Sequence, residues 1–225
     1  MSDNIIITKG LSKTYNMGSQ IIKALDNVDL TVKQGEFLAI TGTSGSGKST
    51  LMHMLGGLDK PTSGEVFIDG ENICTMDDKE LSKLRREKIG FVFQKFCLIQ
   101  ELKVIENITL PIMLSNRKPN MEYIDELCDV LGLSDRKTHL PSELSGGQQQ
   151  RTAIARALAN DPHIMLCDEP TGNLDKKTSE EVIDLLESVR ERFGKTLLIV
   201  THDLDIAQQA KRQITIDDGK ISKDN

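Results

Sequence analysis

The segment Gly42-Thr43-Ser44-Gly45-Ser46-Gly47-Lys48-Ser49 fits the pattern G-x-x-x-x-G-K-[ST] at every fixed position, and it restricts the possible folds more than any other stretch. Its glycines let successive backbone amides turn inward around a polyphosphate, and a helix that follows adds the positive end of its dipole. The flanking sequence has the form this requires. Glu36-Phe37-Leu38-Ala39-Ile40 reads as a strand entering the turn, and a helix is expected to begin near Lys48 and stop at Gly56-Gly57. In that setting Lys48 reaches the terminal phosphates and Ser49 can ligate Mg2+.

A second cluster of chemistry sits at Asp168-Glu169, directly after the apolar run Ile164-Met165-Leu166-Cys167. A buried strand of this kind delivers two carboxylates from a dry core to the open edge of a sheet. Asp168 can hold Mg2+, commonly through water, and Glu169 can orient and deprotonate a water that attacks the outermost phosphorus. By itself such a pair also fits a solvated strand end; the phosphate loop elsewhere in the chain favours the chemical reading.

The elements between these landmarks change character along the chain. Alternating Val28, Leu30 and Val32, the stretch Gly64 to Ile68 closed by Asp69-Gly70, and Ile89 to Phe93 all read as strands. Helical patterns then cover Val104 to Leu114, Met121 to Leu131 and Gln148 to Leu158, and the earlier part reads as an inserted helical lobe. Strand and helix alternate again at 164–167, 180–192, 197–200 and 204–212 before a final hairpin over 214–221. That alternation predicts a largely parallel sheet covered by helices, one domain over 1–225.

Composition excludes several classes. The chain has 225 residues and a formal charge of −6, so its overall balance does not point to nucleic acid or to an anionic lipid surface. Cys74, Cys97, Cys128 and Cys167 are far apart in sequence, which suggests reduced thiols rather than a disulfide framework or a zinc site. Met1 to Asn4 lacks a basic region, and no apolar stretch approaches the roughly 18 residues a membrane span needs. A cytoplasmic chain without its own span is expected, with any membrane role exercised through a partner.

Leu144-Ser145-Gly146-Gly147-Gln148, continuing as Gln149-Gln150-Arg151, completes a resemblance to the ATPase subunit of ABC transporters. Ser145 with the Gly146 and Gly147 amides opens a helix and forms a second anion cradle, although an ordinary Ser/Gly cap would look the same locally. The resemblance runs from Tyr15 to His202. It implies a P-loop α/β ATPase with an N-terminal antiparallel β portion and a helical lobe at about 95–159. It implies that Gly42, Thr43, Ser44, Gly45, Ser46, Gly47, Lys48, Ser49 and Thr50 hold ATP with Mg2+. Gln94 resembles the glutamine that touches Mg2+ and water, Asp175 the aspartate of a segment linking two active sites, His202 the histidine that holds the terminal phosphate and positions Glu169, and Tyr15 the aromatic that stacks on adenine.

The same resemblance implies a head-to-tail dimer, of this chain or with a homologous ATPase, in which the phosphate loop of one copy and Ser145 to Gln148 of the other close on one ATP. An integral membrane permease subunit is the implied partner, which places the chain on the inner face of the cell membrane. The segments Gly57 to Glu65 and Asp168 to Asp175 are similar to the branch of macrolide exporters, lipoprotein-release complexes and antimicrobial-peptide resistance transporters. Cys97 departs from that branch, which often has asparagine there, and Cys167 stands where alanine is frequent. A soluble ABC ATPase, for example in iron-sulfur assembly, and a division or sensor ATPase are the alternatives, and a generic P-loop kinase is disfavoured by the signature and His202.

Overall fold

Two long strands, β1 (Asn4–Met17) and β2 (Gln20–Lys33), open the chain and pair antiparallel through several register shifts. The computed structural model describes residues 3–18 and 20–225; Met1 and Ser2, part of the start read above for targeting, lie outside it. β2 buries Leu25, Val28, Leu30 and Val32, the alternation that antiparallel strands show when one face meets a core. Next come β3 (Phe37–Thr41), α1 (Lys48–Leu55), β4 (Ser63–Ile68), β5 (Glu71–Asn72) and α2 (Asp78–Lys88). β2, β1, β4 and β5 form one antiparallel sheet in that order. As expected, α1 ends at paired glycines: Gly56 caps it in right-handed backbone, and Gly57 takes the left-handed turn.

β6 (Ile89–Phe93), α3 (Val104–Met113), α4 (Met121–Val130), α5 (Gly146–Leu158), β7 (Ile164–Asp168) and α6 (Lys176–Phe193) follow. They belong to one compact unit, Arg86–Lys195. Within it α5 packs against α3, α4, α6 and β6, and its inward face is made of Ala153, Ile154, Ala155 and Leu158. β6 and β7 run parallel with Phe93 opposite Asp168. A fully buried Asn107 on α3 satisfies itself locally, donating to the carbonyls of Ile99, Leu102 and Lys103 and accepting from the Ile99 amide.

The chain then returns to the first unit, which comprises the described residues up to Arg85 together with Thr196–Asn225. It does so through β8 (Thr196–Val200), α7 (Leu204–Ala207), β9 (Arg212–Asp217) and β10 (Lys220–Asp224). β3 lies between β8 and β9, parallel to both, and β10 closes the edge as a hairpin with β9. Every residue of β3 and β8 is buried, the near-continuous apolar pattern of a parallel sheet covered on both faces. The expected helix over 204–212 is shorter than its sequence pattern. It stops at Ala207 because Arg212 is already paired with Leu38, so the chain must leave helical geometry by then.

Candidate nucleotide site

The phosphate loop connects the end of β3 to α1. Gly42 (φ +143) and Gly47 (φ +109) occupy backbone conformations that side chains rarely allow. A Cβ at Gly42 would come within 2.2 Å of the Ile216 carbonyl oxygen, and one at Gly47 within 2.3 Å of that of Ala24. The final hairpin thus fits against the loop, and its Gly219 amide donates to the Ser46 carbonyl at 2.9 Å. No side chain caps α1 and its first turn holds no acidic residue, so its positive end is left for an anion. Lys48 is 7% exposed, and its ammonium donates to the carbonyls of Gly42 (2.9 Å) and Thr43 (2.7 Å). The ammonium is therefore held against the loop, within it rather than out in solvent.

His202 lies two residues past the end of β8, and the intervening Thr201 is pinned where its amide donates to the Ile40 carbonyl. Asp203 caps α7 and donates its amide to Thr201 Oγ1 at 3.0 Å, which fixes the backbone on the other side of His202. With Thr41, Gly42, Thr43 and Thr215, His202 lines a cavity of about 530 Å³. Tyr15 lies in the same unit. Its hydroxyl donates to Asp59 Oδ2 at 2.9 Å, and the Lys13 ammonium sits 4.9 Å from its ring centroid. Burial, then Asp59, pushes the phenol up, while a hydrogen bond with Thr50 opposes the rise. Thr50, expected among the nucleotide-binding residues, thus touches the tyrosine.

The other expected residues lie in the second unit. Gln94 and Glu169 leave the same end of β6 and β7. Gly172 packs on Gln94: a Cβ there would lie 2.5 Å from Nε2, and Asn173 Nδ2 donates to the Gln94 carbonyl at 2.9 Å. Glu169 has φ +47, a strained conformation for a residue with a side chain. Ser145 and Gln148 form a reciprocal capping box at the start of α5, with Ser145 Oγ accepting from the Gln148 amide and Gln148 Oε1 from the Ser145 amide. Asp175 likewise caps α6 through the amide and hydroxyl of Thr178, which hold its carboxyl below the usual range.

The donor set of the first unit suits a polyphosphate: an uncapped helix start, a loop two of whose glycines admit no Cβ, and one cation held against it. For a metal the set is sparse. Among the described residues no cluster of three or more His, Cys, Asp and Glu is arranged to hold an ion, so a divalent cation here would lean on the oxygens of a bound polyphosphate.

A sequence model of the ABC transporter family matches residues 25–172. The chain belongs to the ABC transporter family. Its fold is that of an ABC ATPase: the post-hydrolysis dimeric structure of the ATP-binding cassette MJ0796, bound to ADP and Pi, superposes with a TM-score of 0.89 at 47% identity, covering 98% of this chain and 97% of that one. The uncharacterized ABC transporter ATP-binding protein MJ0796 of Methanocaldococcus jannaschii is 49% identical over 98% of this chain and 96% of its own length. The lipoprotein-releasing system ATP-binding protein LolD 1 of Chlorobium chlorochromatii is 41% identical over 100% of this chain and 93% of its own. The macrolide export ATP-binding/permease protein MacB of Bartonella quintana is 42% identical, and this chain spans 34% of its length.

This ABC cassette is an ATP-binding, ATP-hydrolysing subunit. Four residues carry roles that the sequence alone does not announce: Lys13 and Asp59 beside Tyr15, Gln150 on α5, which donates to the Pro170 carbonyl just after Glu169, and Arg156, whose guanidinium donates to the carbonyls of Phe96 and Cys97 downstream of Gln94. Asp59 and Gln150 lie inside segments already singled out, Gly57 to Glu65 and the continuation of the signature. Lys13 and Arg156 carry no local signal, since the carbonyls to which they donate are distant in sequence.

Proposed function

We propose that this cassette hydrolyses Mg-ATP to drive a separate integral membrane permease of the macrolide-export and lipoprotein-release type. In this reading 1–225 is one ATPase domain with a helical lobe around 95–159, Gln94 and the segment behind it face the partner, and the chain works on the inner face of the cell membrane. Residues 42–50 bind the phosphates, Tyr15 stacks on adenine, and Lys48 neutralises the terminal phosphates. Glu169 orients and deprotonates the attacking water, while His202 holds the γ-phosphate and keeps Glu169 in place. When bound, Mg2+ would offset charge on the β- and γ-phosphates, held by Ser49, Gln94 and Asp168. Two copies meet head to tail, with Ser145 to Gln148 and Asp175 of one facing the phosphate loop of the other. MJ0796 forms a dimer in both of its matching structures, which supports this pairing.

One observation carries the reading: the uncapped start of α1 behind a loop that admits no Cβ at Gly42 or Gly47, with Lys48 laid against it. Glu169→Gln tests it, because the amide keeps the shape but cannot take a proton. ATP binding should persist, turnover should fall by about 10² to 10⁴-fold, and an ATP-bound dimer should accumulate in size-exclusion chromatography. Normal turnover would remove Glu169 from the role of base. A tagged copy purified from membranes should bring an integral membrane protein with it; its absence favours the soluble ATPase alternative.

A further inference from the structure

The Lys13, Tyr15 and Asp59 side chains form a closed set of contacts. Tyr15 donates from its hydroxyl to Asp59 Oδ2 at 2.9 Å, Lys13 pairs with Asp59 Oδ1 at 2.8 Å, and the same ammonium lies 4.9 Å from the Tyr15 ring centroid. Lys13 also donates to the Lys60 carbonyl at 2.7 Å, and the Lys60 amide returns a bond to Asp59 Oδ1 at 2.7 Å. Two bonds of Thr62 fasten the loop that carries Asp59 to β1 on both sides of Lys13: its amide donates to the Ser12 carbonyl at 2.8 Å, and its Oγ1 accepts from the Thr14 amide at 3.0 Å. The Lys13 side chain is 12% exposed, well shielded for a lysine, so the pair is more than a loose surface contact.

Charge supports the same geometry. Burial acts against the Asp59 carboxylate, yet hydrogen bonds from Lys13, Tyr15 and the Lys60 amide hold it below its ordinary range, so at neutral pH it is an ionised acceptor. The Tyr15 phenol is pushed up by burial and then by Asp59, so it remains a donor. Lys13 occupies one ring face by a cation–π contact, and a base can stack only on the other.

We propose that Lys13 and Asp59 are positioning residues that fix the Tyr15 ring before nucleotide arrives and leave a single face for the adenine. The inference rests on Tyr15 as the adenine platform. A ring already held needs no ordering on binding, and saving the entropy of one immobilised side chain is worth about 2- to 10-fold in affinity. The gain should be confined to ligands with a base. Inorganic tripolyphosphate uses the loop alone, so it reports on the cradle without the platform.

Equilibrium binding of ATP and of tripolyphosphate to the purified chain separates the possibilities. Tyr15→Ala should weaken ATP by about 10-fold or more and leave tripolyphosphate unchanged. Tyr15→Phe and Asp59→Ala should each weaken ATP by about 2- to 10-fold, again without affecting tripolyphosphate. The double variant should be no worse than Asp59→Ala, since both remove one shared bond, and Asp59→Asn, which keeps an acceptor, should recover part of the loss. If Tyr15→Ala weakens ATP while Tyr15→Phe and Asp59→Ala bind like the parent, the clamp is refuted and the platform stands. Parent-like ATP binding by Tyr15→Ala removes the platform and the clamp together. A parallel loss of tripolyphosphate in Asp59→Ala overturns positioning in favour of general damage to the loop.

Discussion

Gln150 donates from Nε2 to the carbonyl oxygen of Pro170 at 2.5 Å, and neither residue is exposed to solvent. The bond ties the second turn of α5 to the bend after Glu169, which already holds Glu169 at φ +47. Strain of that kind persists only where the surroundings enforce it, at a cost of about 1–3 kcal/mol. Gln150→Leu keeps volume and removes the donor. Turnover should fall by up to about 10²-fold, the range for a misplaced reacting group, while ATP affinity stays near the parent value. Equal loss in both would show that Gln150 supports the fold and not the placement of Glu169.

Arg212 spreads one guanidinium over four acceptor oxygens of three residues. Nε and Nη2 donate to the two Asp224 oxygens at 2.7 Å each, and Nη1 donates to the Thr31 carbonyl at 2.7 Å and to Glu36 Oε1 at 3.0 Å. Hydrogen bonding to Arg212 holds the Asp224 carboxyl below its ordinary value, though burial acts the other way. A lowered folded pKa means stability fully present above the unfolded value, about 3.9, and lost as pH falls through the folded one. Urea midpoints of the parent and Arg212→Met should therefore differ at pH 7 and converge below about pH 4. Asp224 is 46% exposed, so the difference at neutral pH should be modest. A gap that persists unchanged into acid would assign the effect to the carbonyl of Thr31 and to lost packing.

How far the sequence was legible depends on how local each cause is. The runs at β3, β7 and β8 announce buried strands because a parallel strand is apolar on both faces, and the glycines at 56–57 and the Asp-Gly turns mark where elements end. Residues 4–17 carry no such pattern. Their strand exists because β2 and β4 pair with it on either side, a non-local fact. α2 gives little helical signal in the sequence, because only Leu81 and Leu84 are buried on it. The phosphate loop and the signature were readable since each is a contiguous segment with its own backbone geometry. Asp59 and Tyr15 were not readable as a pair, since 44 residues separate them and only the fold brings a carboxylate onto the phenol.

Cys97 offers a test of the loop after Gln94. It is exposed and left-handed (φ +51), whereas Cys128 and Cys167 are fully buried and their thiols are pushed up by that burial. Cys74 is half-buried, and burial raises it too. Thiolate is the reactive form, so a maleimide at pH 7 should label Cys97 first, by a wide margin, in the native chain. Mass spectrometry of the peptides after brief labelling would report it. Preferential labelling of Cys74 would mean that the loop holds Cys97 less open than the structure has it. Protection of Cys97 on binding a membrane partner would mark this loop as part of the docking face.

The proposed composite site makes the strongest demand, because Ser145 uses its hydroxyl to cap its own helix and would also have to meet a nucleotide held by another copy. Lys48→Ala should abolish ATP binding by removing the cation laid against the loop, and Ser145→Arg should block the second cradle. Each protein alone is then inactive. In a mixed pair, one site combines the intact Lys48 of the second protein with the intact Ser145 of the first, while the other site carries both defects. ATPase activity should return in the mixture, at roughly a quarter of the parent's per chain if mixing is random and one site turns over alone. Strict coupling between the two sites would suppress turnover in the mixed pair but not ATP-dependent dimerisation, so both are scored. If neither appears while subunit exchange is confirmed by differently tagged copies, each chain holds a self-contained site and the head-to-tail arrangement is wrong.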